Sequence, residues 1–134
     1  MSNSQSIGVA YSDPEFVTCY ASQEIGYALG AQGAVTQATD KTTAVTLNKS
    51  CGQITMNAAA LAATTNVAFT LNNNLISSKD VLIVNVAGGA ATAGTYNVFT
   101  STLTAGSATI VLRNISAGSL SEAVVINYAI IHGA

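Results

Sequence analysis

The chain has 134 residues, one domain's worth, enough to bury a core without metals or disulfide staples. Hydrophobic residues make up 49%, but charged residues only 7%, against about 25% in an ordinary globular domain, and the formal net charge is −2. Four cations make no basic patch for nucleic acid, no apolar run approaches the ~20 residues of a membrane-spanning helix, and the first residues show no basic or apolar signal region. With so little charge to hold copies apart, the composition points to a protein that works inside an assembly.

Residues 1–30 stand apart. They hold the only proline (Pro14), the acids Asp13, Glu15 and Glu24, and the tyrosines Tyr11, Tyr20 and Tyr27. Ser12-Asp13-Pro14 reads as a turn, because proline fixes φ and Ser or Asp before it favours turn initiation. This segment is expected to be an irregular arm that packs on the body or on a partner, the alternative being a first strand and loop of the main domain. Aromatic and apolar anchors make interfaces, so Tyr11, Pro14, Phe16 and Tyr20 are the candidate docking residues.

Residues 33–57, GAVTQATDKTTAVTLNKSCGQITMN, begin a different regime: apolar and β-branched residues alternate with small polar ones and break at two turn clusters. Strands are predicted over 33–38, 43–47 and 51–57, with Asp40, Lys41 and Lys49 as turn residues and Val45, Leu47, Ile54 and Met56 as core. Residues 58–63, rich in alanine behind a suitable N-cap in Asn57, predict a short helical segment. Alternation returns over 67–72, with Val67, Phe69 and Leu71 inward. Residues 81–86 are more continuously apolar, as expected of a strand buried on both faces. Strands at 95–100 and 108–113 follow, and 122–131 closes the chain. About eight strands, separated by turn signals and without a long amphipathic helix, predict an all-β fold: an antiparallel, jelly-roll-like β-sandwich over 31–134 preceded by the arm of 1–30.

Residues able to carry chemistry are few. His132, the only histidine, is expected to be an exposed tail or interface residue. A triad with Asp40 or Asp80 lacks both the spacing and a nucleophile elbow. One histidine, two distant cysteines and scattered carboxylates form no metal-ligand cluster, so neither metal nor cofactor is expected, and the protein reads as a non-enzyme. Three symmetry-related copies of His132 or Asp80 around a threefold axis are the one route to an ion. Gly88-Gly89 is followed by no Lys-Ser/Thr and is not a phosphate loop. Asn114-Ile115-Ser116 matches a glycosylation triplet but needs a secretory route. Cys19 and Cys51 read as small buried thiols, reduced in a cytoplasm-made protein, the alternative being a disulfide, which two cysteines without context do not settle. Arg113 and Glu122, flanking the break at 114–121, are expected to pair across that loop or between protomers.

Two stretches, TQATDKTTAVTLNKSCGQITM and RNISAGSLSEAVVINY, together with AAALAA, VAFTLNNNLI and DVLIVNVAGGAATAGTYNV between them, resemble a family of virion surface proteins of tailed bacteriophages and prophages. The resemblance covers about residues 31–134, and GVAYSDPEFV before it resembles the leader of stand-alone members. Such proteins are capsid decoration (cement) proteins built of neutral, trimeric β modules, and the module also occurs in fibre and baseplate proteins. The resemblance implies a homotrimer made in the host cytoplasm and carried on the capsid surface, its arm docked to the major capsid protein, with no nucleic acid and no membrane involved. The alternative it implies is a tail-fibre or baseplate component that binds host glycan, for which the body offers only Tyr96, Phe99 and Tyr128 as aromatics.

Overall fold

A computed structural model describes residues 15–133. One 3-10 turn, Leu29–Ala31, leads into eight strands: β1 (Gln32–Thr36), β2 (Val45–Thr46), β3 (Cys51–Thr55), β4 (Asn66–Asn72), β5 (Val81–Gly88), β6 (Tyr96–Thr104), β7 (Ser107–Asn114) and β8 (Val125–Ile131). They form two four-stranded sheets, ordered β1-β3-β8-β5 and β2-β4-β7-β6. The fold is the expected jelly-roll-like β-sandwich with an irregular N-terminal arm. Each strand reverses the direction of the one before. The first six strands also alternate between sheets, which lays β1 parallel to β3 and β2 parallel to β4 at the two edges, while all other pairs are antiparallel.

The core lies between the sheets. Ile54, Leu71, Ile110, Leu112, Val124, Ile126 and Ile130 are fully buried, with Phe69 and Met56 beside them. Each such side chain contributes roughly 1.5–3 kcal/mol by leaving water. Val45, Ile54 and Met56 are buried as their alternation predicts, and Leu47 and Val67 pack against the same cluster. Gly33 and Gly52 sit side by side in β1 and β3, across from Tyr128. A Cβ on Gly52 would lie 2.7 Å from Leu47 Cδ2 and 3.1 Å from the Tyr128 ring. The two glycines thus make room for Leu47, and Gly52 for the ring of Tyr128 as well. The Tyr128 hydroxyl donates to the Lys49 carbonyl at 3.0 Å, where the buried amide of Asn73 also donates at 2.7 Å.

Several expectations are corrected. Residues 58–63 are not helical: Leu61 and Leu120 form an antiparallel bridge, and the buried Asn114 amide donates to the carbonyls of Leu61 and Ala62. Burial of Leu61 and these cross-chain bonds override the helix propensity of alanine. Asn57 still caps locally, accepting from Ala59 N at 2.8 Å. Strand β5 is not buried on both faces. Leu82 points inward, while Val81 and Ile83 are exposed, because a sandwich of two sheets covers only one face of each strand. Cys19 is exposed and Cys51 half-buried, both as free thiols, since the arm that carries Cys19 stands off the body. Arg113 and Glu122 do not pair within the protomer. Arg113 is exposed on the outer face of β7, and Glu122 Oε1 accepts from Ala91 N at 2.7 Å. Asn114 of the sequence triplet is fully buried, its carbonyl oxygen taken by Ser116, so it presents no amide for modification.

Candidate assembly surface

Lys41 shows how the charges of this chain are used. It lies in the predicted turn yet is buried, its ammonium donating to the carbonyls of Asn57 and, at 2.6 Å, Glu122. Burial pushes its pKa down, and the nearby Glu122 carboxylate partly offsets that. Gln37, also buried, donates to the carbonyls of Lys41 and Thr43 and accepts from Asn57 N. Together they tie the β1–β2 turn to the segments after β3 and before β8. Tyr96, whose hydroxyl is pushed up to about 12 by burial and by the same Glu122 carboxylate, closes this end of the core.

At the opposite end, Asp80 accepts from Ser77 N at 2.8 Å, Ser77 Oγ at 3.0 Å, Gly133 N at 3.0 Å and His132 Nδ1 at 3.1 Å. The backbone donor of Ser77, followed by those of Gly133 and the two side chains, holds the carboxyl down at about 2. Serine and histidine both bond the aspartate, so the hydroxyl is not presented to the imidazole. The arrangement clamps the end of β8 to the turn before β5. His132 itself is exposed, as expected of it. Among the described residues no group of His, Cys, Asp and Glu is placed to hold a metal ion, and no helix is long and apolar enough to cross a membrane.

The arm and the sheet face it crosses carry the largest exposed apolar groups. From β1 the chain runs back over the outer face of the first sheet. Lys49 Nζ holds the Gly30 carbonyl at 2.9 Å, and the Tyr27 hydroxyl donates to the Ile130 carbonyl. Between Ile25, Gly26 and Tyr27 on one side and Ile83, Ala129 and Ile131 on the other lies a groove of about 420 Å³. Upstream of Ile25 the arm leaves the body. Of the candidate docking residues, Phe16 is 62% and Tyr20 92% exposed, with Val17 fully exposed between them. Tyr11 and Pro14 lie outside the described residues.

Register assigns the outer face of the first sheet row by row. Val81 pairs with Ile131. Ile83, Ala129, Cys51 and Gln32 form the next row, and Asn85, Asn127, Gln53 and Ala34 the third. One end of this face is apolar and its middle is amide, with Gln53 Nε2 donating to Asn127 Oδ1 at 3.0 Å. A shallow depression of about 310 Å³ lies against Gln32, Gln53 and Asn127. No outward position in these rows is charged. The reading from sequence missed this face. Its signal was the unbroken apolar run at 81–84, which in a two-sheet sandwich means that the outward positions serve something other than the core. Comparison with family models, with curated proteins and with solved structures found no match.

Proposed function

We propose that this chain is a non-enzymatic capsid decoration (cement) protein of a tailed phage, binding the outer capsid surface as a homotrimer and stabilising the shell. The observation that carries the reading is the arm: an irregular segment with Phe16 exposed and Val17 and Tyr20 almost fully in solvent, attached to a neutral β-sandwich. Large apolar side chains held away from their own core serve a partner, and here the partner is the major capsid protein, reached by Tyr11, Pro14, Phe16 and Tyr20. The resemblance of residues 31–134 to virion surface proteins points the same way. The work done is mechanical. Each arm adds buried interface to the shell, and linking three weak footholds on one trimer raises the avidity of the whole without any new contact chemistry.

Removing residues 1–24 tests the reading while keeping Ile25 and Tyr27 on the body. The truncated protein is expected to fold with an unchanged melting transition and to lose binding to empty capsids in co-sedimentation. Binding with undiminished affinity would overturn the role of the arm. A second reading, a tail-fibre or baseplate component that binds host glycan, draws support from the amide-lined depression at Gln32, Gln53 and Asn127. Copy number separates the two: a decoration protein covers the shell, whereas a tail component is present in few copies per virion.

A further inference from the structure

We propose that Cys19 and Cys51 are the two halves of a redox strap: oxidation joins them within one chain and draws the arm onto the outer face of the first sheet. The strap stands on the fold alone, and only its consequence for docking rests on the reading of the arm given above.

Both thiols are free, Cys19 exposed on the arm and Cys51 half-buried. Neither belongs to the core cluster, where a cysteine serves as a small apolar group. Cys51 opens β3 on the outer face, in register with Ala129 of β8 on one side and Gln32 of β1 on the other. It borders the open depression of about 310 Å³, through which a reagent or a second sulfur reaches it from solvent. Its Sγ lies 3.8 Å from the Ala31 carbonyl oxygen, a weak contact that an incoming sulfur easily replaces.

The arm root brings the other thiol into range. Ala129, the register neighbour of Cys51, also lines the groove under Ile25, Gly26 and Tyr27. Ile25 lies by Ile83, and the row Ile83, Ala129, Cys51 places the thiol two strands away, about 10 Å across the sheet. Cys19 precedes Ile25 by six residues, a stretch that spans about 20 Å when extended. Partial extension therefore suffices to bring the two Cα atoms to the roughly 5.5–6 Å of a disulfide. The chain already bends at Ser22-Gln23, midway along this stretch, and no proline stiffens it. Tyr27 and Gly30 hold the root on the body, while among the described residues no hydrogen bond involves residues 19–24, so moving them breaks none.

Concentration selects the partner. Thiols joined by a short flexible segment meet at an effective concentration of about 1 mM, so at about 1 µM protein closure within the chain is favoured about 1000-fold over a cysteine of a second copy. The oxidant is a low-molecular-weight disulfide such as oxidised glutathione. The exposed Cys19, as thiolate, attacks one of its sulfurs, forming a mixed disulfide and expelling one thiolate. Cys51 then attacks the Cys19 sulfur and expels the second. The protein gives up two electrons and two protons, and the reagent leaves as two thiols. The strap is open in a reducing cytoplasm and closes outside it. Once closed, it anchors the arm at Cys19 instead of Ile25, which draws Tyr20 toward the sheet and shortens the reach of Phe16.

The test incubates the folded full chain at about 5 µM in glutathione redox buffers, then alkylates the remaining thiols. The intact mass should fall by two hydrogens in protein that stays monomeric on a non-reducing gel. Trypsin without reductant should release peptide 1–41, which carries Cys19, joined to peptide 50–79, which carries Cys51. The effective concentration of one thiol at the other, read from the glutathione ratio at half closure, should be at least about 10-fold higher in the folded chain than in urea, because the arm root is already fixed over the sheet. Folded protein that stops at glutathione adducts, that links only into disulfide dimers, or that closes no better than the unfolded chain overturns the proposal. Capsid co-sedimentation separates it from decoration. If the strapped protein binds capsids as the reduced protein does, docking through Tyr20 fails and the strap stands. If no strap forms and removal of residues 1–24 still abolishes binding, decoration stands and this inference fails.

Discussion

Asn114→Ala probes what holds the loops of the sandwich together. The Asn114 side chain is fully buried at the end of β7. Its amide nitrogen donates to Leu61 O at 2.9 Å, Ala62 O at 3.2 Å and Gly118 O at 2.8 Å, two protons shared among three carbonyls. Its oxygen accepts from Ser116 N at 2.9 Å and Ser116 Oγ at 2.7 Å. A typical bond of this kind is worth about 1 kcal/mol net, and a buried group left without a partner costs about 1–3 kcal/mol. Alanine removes all five contacts, while each carbonyl keeps a second donor (Leu120 N, Thr65 Oγ1 and Ser116 Oγ), so the loss is that of the bonds themselves, about 3–5 kcal/mol. At this chain length that lowers Tm by roughly 10–20 °C. Urea unfolding followed by far-UV circular dichroism reads the loss directly, provided the m-value is unchanged. Asn114→Asp is the control. Its carboxylate would face three carbonyls, which raises its folded pKa above the unfolded value, so its penalty is small below about pH 4 and grows as pH rises. A loss below about 1 kcal/mol for Asn114→Ala, or a pH-independent Asn114→Asp, would refute the assignment of loop order to this amide.

Asp80 is held at about 2, below its unfolded value of 3.8, so its contribution is present above the unfolded value and lost as pH falls toward 2. Asp80→Asn should flatten acid unfolding in that window, and an unchanged pH profile would show that the clamp with Ser77, His132 and Gly133 is idle. Gly89 has φ +79° and a Cβ there would lie 2.1 Å from the Ala123 carbonyl, whereas Gly94 has φ +77° with open space around it. Gly94→Ala should therefore cost about 1 kcal/mol of backbone strain and Gly89→Ala clearly more, measured by thermal unfolding; equal costs would exclude the close approach to Ala123, just before β8, as the reason for Gly89. Cys19 is exposed and Cys51 half-buried beside Ala31, so a thiol reagent should label one site of the native protein quickly and the second slowly. Equal rates, read by mass spectrometry after digestion, would show that the arm does not hold Cys19 away from the sheet.

Much of the sandwich was legible because period-2 alternation decides which face each strand buries. Val67, Phe69 and Leu71 do what their spacing says, and so do Ile54 and Met56. Where the reading failed, non-local partners decided. Nothing near residues 58–63 announces Leu120 as the bridge to Leu61, or Asn114 as the amide that takes the carbonyls of Leu61 and Ala62. The parallel edge pairs were equally hidden, since alternation fixes faces and says nothing about which strands are neighbours. Arg113 and Glu122 misled through proximity to one loop: the cation that senses Glu122 is Lys41, 81 residues away along the chain from the carbonyl it grips. Of the candidate surface, Phe16 and Tyr20 were legible as aromatics outside the alternating region. Ile83 and Ile131 were not, because an apolar strand reads the same whether its second face meets a core or a neighbour.

The low charge content, which first pointed to an assembly, has a structural counterpart. Lys41 is sunk into backbone carbonyls, Lys49 holds the arm root through Gly30, Asp40 accepts from Thr42 and Thr43 within its turn, and Asp80 clamps the end of β8. These charges fix turns and junctions, where one ionised group can satisfy several backbone atoms at once. They are absent from the outward rows of the first sheet, where they would set copies against each other. Glu15 and Glu24 stand instead on the exposed arm. The chain thus separates two tasks in space: polar bonds define the loops of one protomer, while the neutral outer face and the apolar arm remain for contacts with other chains. Burial of apolar area, rather than ion pairing, is then the force that would build the assembly.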